Sequence, residues 1–268
     1  MKAKKVISIL ILILFCACVI TCIIFSFSVK SVNGIFTTTE NIDCSSVQQK
    51  LDKYSGVNLL FFTPEEMIKD IESDPYLQVI DVKKQFPNQL EVSIKERREV
   101  YLFEHNRTTY IADESGFVLN ELSLDRQSSQ KFNIRDFISL EFSDNEVLDV
   151  NIGEYIKTKH PQVVDTAFKI AKTARLTDCV KTMRVEVGVE LNEVVFQTYT
   201  GVDIKISNID FKGQQKATKS MEIFDSLTDY QKTFDTIYVN HYIVDGSTED
   251  GVEYKSGDVF VVWSGVNS

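Results

Sequence analysis

The first pattern along the chain is an uninterrupted apolar run. No charged residue occurs over 6–27, whereas Lys2, Lys4 and Lys5 precede the run. As a helix, 22 residues would extend about 33 Å, and the hydrocarbon core of a bilayer is about 30 Å thick. The lysines favour a cytoplasmic N-terminus. The sequence therefore predicts a cytoplasmic tail over 1–5, a transmembrane helix over 6–27, and all later residues outside.

Two cysteines late in this run leave a second interpretation open. Cys18 and Cys22 could belong to a lipoprotein signal, although the residues that precede each of them fit a lipobox poorly. A cleaved signal peptide is less consistent with the pattern, because its apolar region usually has about 7–15 residues followed by a small-residue cleavage site. We therefore interpret the apolar run as an uncleaved single-pass anchor.

Residues 28–98 show the pattern of a small β-α-α-β-β module. Apolar residues recur at helical spacing over 45–54, and a second helix is predicted between Pro64 and Pro75. Apolar and polar residues then alternate over 80–83 and 90–95, on either side of a turn at Pro87-Asn88. The two helices are expected to cover the apolar face of this hairpin.

Residues 99–244 predict a mixed β domain with two helices. Helices are expected from Pro161 and over 214–229, and a strong late strand over 236–244. The acidic stretch that follows belongs to a segment, 245–268, interpreted as mobile with a possible short strand at 259–263. The predicted fold class is thus α+β, with a single N-terminal transmembrane helix, the small module and the β domain.

Charge and motifs argue against several kinds of site. The formal net charge is −10, so a nucleic-acid interface, which needs a basic surface, is not expected. Zinc-protease, nucleophile-elbow, phosphate-loop and dinucleotide-binding motifs are absent from the sequence, and its three histidines stand in unrelated contexts. No catalytic, cofactor-binding or metal site is predicted. Cys44 and Cys179 could form a disulfide or remain thiols.

The first module resembles a POTRA domain of the FtsQ/DivIB cell-division family. The resemblance rests on Gly56 to Leu60, on Pro75 to Val82, and on the run from Phe86 to Arg97 that includes the family's "ER" pair. Residues 110–118 are similar to the entry of the family's β domain, and 235–238 to a late strand of it. The POTRA motif positions are Pro75, Pro87, Asn88, Glu96 and Arg97.

The resemblance implies a non-enzymatic divisome scaffold without a cofactor or a small-molecule substrate. Its expected partners are FtsL- and DivIC/FtsB-like bitopic proteins, and its expected location is the cell membrane at the division septum. From the physics of sheets, we predict that the late strand, 236–242, lies at a sheet edge and binds a partner by strand addition. The candidate partner-binding residues are Thr236, Tyr238, Asn240, Tyr242 and Trp263.

Other interpretations remain open at this point. Tyr238 and Trp263 could serve packing rather than a partner, and the charged run 95–99 could be a solvated hinge or a contact for a partner or headgroup. For the whole protein, the alternatives are a membrane-tethered cell-wall hydrolase and a lipoprotein-type extracytoplasmic binding module. An outer-membrane POTRA protein is disfavoured, because residues 130–268 predict helices rather than a transmembrane barrel.

Overall fold

The computed structural model describes residues 2–37, 42–130, 132–173, 179–189, 191–233, 236–240, 248–249, 252–253 and 260–264. The chain divides into two compact units, Met1–Arg97 and Arg98–Ser268. The helices are α1 (Lys2–Ser26), α2 (Cys44–Asp52), α3 (Glu65–Ile71), α4 (Leu124–Gln127), α5 (Pro161–Thr173) and α6 (Gly213–Ser226).

The strands of the first unit are β1 (Ser31–Thr37), β2 (Leu77–Gln85) and β3 (Gln89–Glu96). Those of the second unit begin with β4 (Tyr101–His105), β5 (Thr108–Ala112), β6 (Val118–Glu121), β7 (Ile138–Phe142), β8 (Val147–Asp149) and β9 (Lys157–Thr158). They continue with β10 (Val180–Val187), β11 (Asn192–Thr198), β12 (Asp203–Ser207), β13 (Thr236–Asn240), β14 (Thr248–Glu249), β15 (Val252–Glu253) and β16 (Phe260–Ser264).

The first unit contains the predicted β-α-α-β-β module. Its sheet has the order β1-β3-β2, with β1 parallel and β2 antiparallel to the central strand β3. Along β3, Leu90, Val92 and Ile94 are fully buried and alternate with half-exposed polar residues, as the sequence pattern predicts. The apolar faces of α2 and α3 join the same core.

Helix α1 contains residues 6–26 of the predicted transmembrane segment, 6–27. This helix runs over 25 residues, from Lys2 to Ser26. Among the residues that the structure describes, no helix combines the length and apolar character required to cross a membrane.

The second unit is built on a long mixed sheet. Its order, within the described residues, is β16-β13-β12-β11-β10-β7-β4-β5-β6. Helices α5 and α6, both predicted from the sequence, contribute Ala167, Phe168 and Ala217 to a large core on one face of this sheet. Strands β10, β11 and β12 each place buried apolar residues on that face and half-exposed or exposed polar residues on the other.

The C-terminal part contains one confirmed prediction and one that is largely untested. The possible last strand is present as β16, antiparallel to β13. The acidic stretch predicted to be mobile lies mostly outside the described residues, apart from the short β14–β15 pair. Both Cys44 and Cys179 are thiols.

A candidate partner-binding edge

The strand predicted to be an edge is an interior strand. Strand β13 runs parallel to β12, with Lys205 opposite Tyr238, and antiparallel to β16, with Tyr238 opposite Val262. The prediction that 236–242 offers unpaired backbone groups is therefore wrong for Thr236–Asn240. The reason is that residues about 20 positions further along the chain, across the acidic stretch, return to pair with the flank expected to be free.

The edge at this end of the sheet is β16. Its five residues pair with β13 in the register Thr236 to Ser264 through Asn240 to Phe260. In the part of the chain that the structure describes, no strand is paired with the other flank of β16. An antiparallel strand directs successive backbone groups to alternate sides, so β16 presents a row of donors and acceptors away from β13.

The opposite edge of the same sheet, β6, is covered by the chain itself at Val118. The backbone N–H of Val118 donates to Glu154 O at 2.9 Å, and the N–H of Gly153 donates to Val118 O at 2.9 Å. A third bond, from Ile156 N to Gly116 O at 3.1 Å, continues the cover beyond the strand. These bonds occupy backbone groups that a partner strand would need, which makes β6 a poor docking edge.

The core side of the candidate edge is rigidly packed. Ile237 and Val239 of β13 and Ile204 and Ile206 of β12 are fully buried in the main core. Helix α6 packs on this part of the sheet through the contacts it makes with β12, β13 and β16. The edge strand β16 therefore pairs with β13, whose inner face is packed in the core. This packing preorganises the edge for docking.

The other face of these strands is open and polar. Tyr238 is 42% exposed, and Lys205 places its Nζ 5.4 Å from the centre of the tyrosine ring. Further along the same row, Arg184 Nε donates to Glu141 Oε2 at 2.8 Å. The solvent face of the sheet near β16 thus offers an aromatic ring and charges of both signs to a partner strand.

Lys216 of α6 braces the connection between β12 and α6. Its side chain is fully buried, and Nζ donates to Ser207 O at 2.7 Å and Asn208 O at 2.8 Å. Burial lowers the pKa of this amine to about 8, a shift that nearby Asp210 partly opposes. The sequence offered little signal for this residue, since a lysine in an amphipathic helix normally indicates the solvent face.

The structure brings together some of the predicted partner-binding residues. Thr236 and Tyr238 lie on β13, and Asn240 ends that strand. Trp263 lies on β16, at the register position opposite Ile237. Tyr242 lies outside the described residues. Residues that the sequence interpretation missed are Lys205, next to Tyr238, and Val262, whose place on an edge strand depends on pairing between distant segments.

Three of the POTRA motif positions make backbone hydrogen bonds or strand pairs within the first unit. Asn88, in the β2–β3 turn, accepts a hydrogen bond on its backbone oxygen from Lys30 N at 2.8 Å. Glu96 and Arg97 are buried, so the interpretation of 95–99 as a solvated hinge is wrong for these two residues. The cause is that β3 continues through Glu96, which pairs with Leu77, and Arg97 N then donates to Tyr76 O at 2.8 Å.

In the part of the chain that the structure describes, no group of three or more histidine, cysteine, aspartate or glutamate side chains is placed to hold a metal ion. A buried acid of the second unit, Glu146, accepts a hydrogen bond from His160 N at 2.8 Å and lies 2.9 Å from His160 Nδ1. This pair precedes Pro161 and braces the start of α5.

Comparison with known proteins agrees with this architecture. The family model described as "POTRA domain, FtsQ-type" matches residues 27–97. The chain is 30% identical over 108 residues to the cell division protein DivIB of Clostridium tetani, which covers 40% of this chain and 37% of that protein. It is 20% identical over 164 residues to DivIB of Clostridium botulinum strain Hall, covering 61% and 60%, and 20% identical over 159 residues to DivIB of strain Loch Maree, covering 59% of each.

The chain therefore contains an FtsQ-type POTRA domain followed by a second unit with a long mixed sheet. The alignments cover between 37% and 60% of the curated relatives' own length. The chain is thus similar to DivIB cell division proteins over the aligned parts, and residues 27–97 match an FtsQ-type POTRA domain.

Proposed function

We propose that the protein is a non-enzymatic divisome scaffold that binds FtsL- and DivIC/FtsB-type bitopic partners by adding a partner strand to β16. The FtsQ-type POTRA match and the similarity to DivIB cell division proteins support the general role. The observation that carries the mechanism is the contrast between the two edges of the long sheet: β6 is bonded to residues 153–154 at Val118, while β16 is paired with β13 alone among the described strands.

Strand addition suits the chemistry of this edge. Main-chain hydrogen bonds would provide affinity for an extended partner segment, and side chains on alternate positions would provide specificity. On the open face, Tyr238 and Lys205 are the side chains closest in register to the middle of β16. Thr236, Tyr238, Asn240, Tyr242 and Trp263 remain the proposed partner-binding set, with the backbone of Phe260–Ser264 as its central element.

The proposed location is the cell membrane, with the N-terminus in the cytoplasm and the folded units outside, at the division septum. The 22 uncharged residues of the span and the lysines before it support this orientation. Confining the protein and bitopic partners to one membrane raises their effective concentration. A modest strand-addition interface would then suffice to couple division-site assembly to septal peptidoglycan synthesis.

Proline substitutions in the edge strand test the mechanism. Successive residues of a strand direct their backbone groups to opposite flanks, so one of Val261 and Val262 faces β13 and the other faces a partner. Of Val261→Pro and Val262→Pro, we expect the one at the outward-facing position to keep the wild-type thermal transition. The same variant should weaken capture of purified FtsL and DivIC/FtsB-type ectodomains by about tenfold or more.

Glu121→Pro is the matched control on the covered edge. The N–H of Glu121 donates to Asn120 Oδ1 at 2.8 Å, so this proline removes a local bond on β6 and leaves β16 intact. It should capture the ectodomains as the wild type does. Wild-type capture by both β16 variants would contradict strand addition at β16. A fluorescent fusion of the full chain that does not gather at midcell would contradict the division role itself.

A further inference from the structure

A turn in the first unit displays large apolar side chains to solvent. In the run Leu59 to Phe62, the outer two residues are buried, whereas Leu60 is 46% exposed and Phe61 is 76% exposed. Two exposed hydrophobic residues side by side in an ordered turn are unfavourable in water unless another surface covers them. Their exposure therefore requires a physical explanation.

Hydrogen bonds hold this turn in one shape. Asn58 Oδ1 accepts from Leu60 N at 2.9 Å, and Asn58 O accepts from Phe61 N at 3.1 Å. Lys84 Nζ crosses the turn and donates to Leu59 O at 3.0 Å and to Phe62 O at 2.7 Å. The turn is consequently braced from both ends, with Leu60 and Phe61 held outward.

The same turn is bonded to the end of α1. Asn58 Nδ2 donates to Ile24 O at 2.7 Å, and Leu59 N donates to Phe27 O at 2.8 Å. The ring of Phe27 meets the ring of Phe86 edge-on, with centroids 5.8 Å apart. Phe86, at the tip of the β2–β3 hairpin, is 58% exposed. Exposed apolar groups from the turn and the hairpin thus lie beside the point where the apolar run ends.

We propose that Leu60, Phe61 and Phe86 insert into the outer interfacial layer of the bilayer that holds α1. This inference rests on the proposed membrane anchor. If the run 6–27 spans the bilayer, Phe27 lies at its outer boundary, and the bonds to Ile24 and Phe27 hold the turn at that depth. Aromatic and aliphatic side chains are favoured at this interface. The bilayer is therefore the occupant that the geometry selects, in preference to a protein partner.

Insertion would fix the orientation of the POTRA domain on the membrane. A single helix leaves the attached domain free to swing, whereas a second apolar contact beside the helix end restricts it. The contact is apolar, since the inserting groups are leucine and phenylalanine, so its strength should change little between low and high salt.

Depth-dependent quenching of tryptophan fluorescence tests the proposal. The full chain carrying Trp263→Phe, which removes the native tryptophan, receives Phe61→Trp and is reconstituted into phosphatidylcholine vesicles containing lipids brominated near the headgroup. Ile80→Trp in the same background is the matched control, because Ile80 is 56% exposed on β2. It lies six residues from Phe86, or about 20 Å along the strand at about 3.3 Å per residue.

The expected result is quenching of the residue-61 tryptophan at least about threefold stronger than that of the residue-80 tryptophan, and unchanged by salt. Equal quenching in vesicles that retain the chain after alkaline extraction would overturn insertion and leave the anchor intact. That result would favour a protein partner for the turn. Loss of the chain on alkaline extraction would contradict the anchor, and with it the insertion.

Discussion

The two edges of the long sheet differ in the hydrogen bonding of their outward backbone groups. At one end, residues 153–154 bond both backbone groups of Val118, the first residue of β6. At the other end, β16 pairs with β13, and within the described chain nothing pairs with its far flank. A sheet edge invites further strands unless it is covered. Within the described residues, the chain therefore covers the start of β6 and leaves the far flank of β16 without a paired strand.

The two edges also differ in how far along the chain the neighbouring segments lie. The cover on β6 is local, because it comes from a segment close to the helix that packs beneath it. The open edge is remote, because β16 follows the acidic stretch and reaches β13 only after it. A division scaffold that recruits partners by strand addition needs one open edge and gains from having the other closed, since a second open edge would promote self-association.

The largest effect is expected at the turn that feeds the covered edge. Gly116 has φ +79°, and a Cβ there would lie 2.4 Å from Cε2 of the buried Phe168 ring. We expect Gly116→Ala to lower the free energy of unfolding by about 3 kcal/mol, because backbone strain and overpacking add. Urea unfolding followed by circular dichroism measures the loss.

Gly56→Ala is the comparison for this substitution. Gly56 also has a positive φ, +89°, but no atom lies within 4 Å of an added Cβ. Its loss should be about 1 kcal/mol, from backbone strain alone. Equal losses in the two variants would show that the contact with Phe168 contributes nothing.

Amide hydrogen exchange compares the two edges directly. The N–H of Val118 is bonded to Glu154 O, whereas half of the amides of β16 point away from β13. We expect Val118 to exchange about 100-fold more slowly than the outward amides of β16. Adding a partner ectodomain should slow exchange in β16 and leave β6 unchanged. Strong protection of every β16 amide in the purified chain would mean that its edge is already covered.

A pH dependence is expected from Lys216, which is buried at the connection between β12 and α6. Its folded-state pKa is lowered to about 8, from an ordinary value of 10.5. Between these values the unfolded chain binds more protons, so raising the pH stabilises the folded state. From pH 8 to pH 10 we expect the free energy of unfolding of the wild type to rise by about 2 kcal/mol relative to Lys216→Met.

The control for this measurement is Lys219→Met on the same helix. Lys219 is exposed and pairs with Glu222 at 2.7 Å. This variant keeps the buried amine of Lys216, so its free energy of unfolding should rise between pH 8 and pH 10 as that of the wild type does. Parallel profiles for the wild type and Lys216→Met would show that the buried amine keeps its ordinary pKa.

The smallest effect on stability is expected at Tyr238. Its ring is partly exposed and contacts Lys205, a type of pair that contributes about 0.5–1 kcal/mol at exposed sites. Tyr238→Ala should therefore lower the free energy of unfolding by less than about 1 kcal/mol and weaken ectodomain binding severalfold. Lys205→Met separates loss of the cation from loss of the ring. Unchanged binding by both variants would show that the partner does not contact Tyr238 or Lys205. Strand addition through the backbone of β16 would be unaffected by that result.

Much of the first unit could be predicted from the sequence. Alternation along β3 and helical spacing in α2 and α3 identified Leu51, Ile71, Leu90, Val92 and Ile94 as buried, and all five are in the core. The resemblance over 56–97 also agreed with the matched POTRA domain. These signals are local, since each reports which face of a single element avoids water.

The candidate site was less accessible to sequence reasoning. The strand at 236–240 was predicted correctly as a strand and wrongly as an edge, because its apolar residues Ile237 and Val239 reveal the buried face and not the neighbours on either flank. The buried state of Lys216 and Arg97 was missed for a related reason: charged residues are normally assigned to solvent unless the packing around them is known.

The sequence by itself determined the order of the elements in the first unit, the inward faces of its helices and strands, and the resemblance of that unit to a POTRA domain. Only the tertiary structure decided which strand closes the sheet, which edge is covered and which apolar turn stands beside the end of α1. The physical reason is that side-chain patterns encode burial, whereas strand pairing uses backbone groups common to every residue and depends on where distant segments of the chain meet.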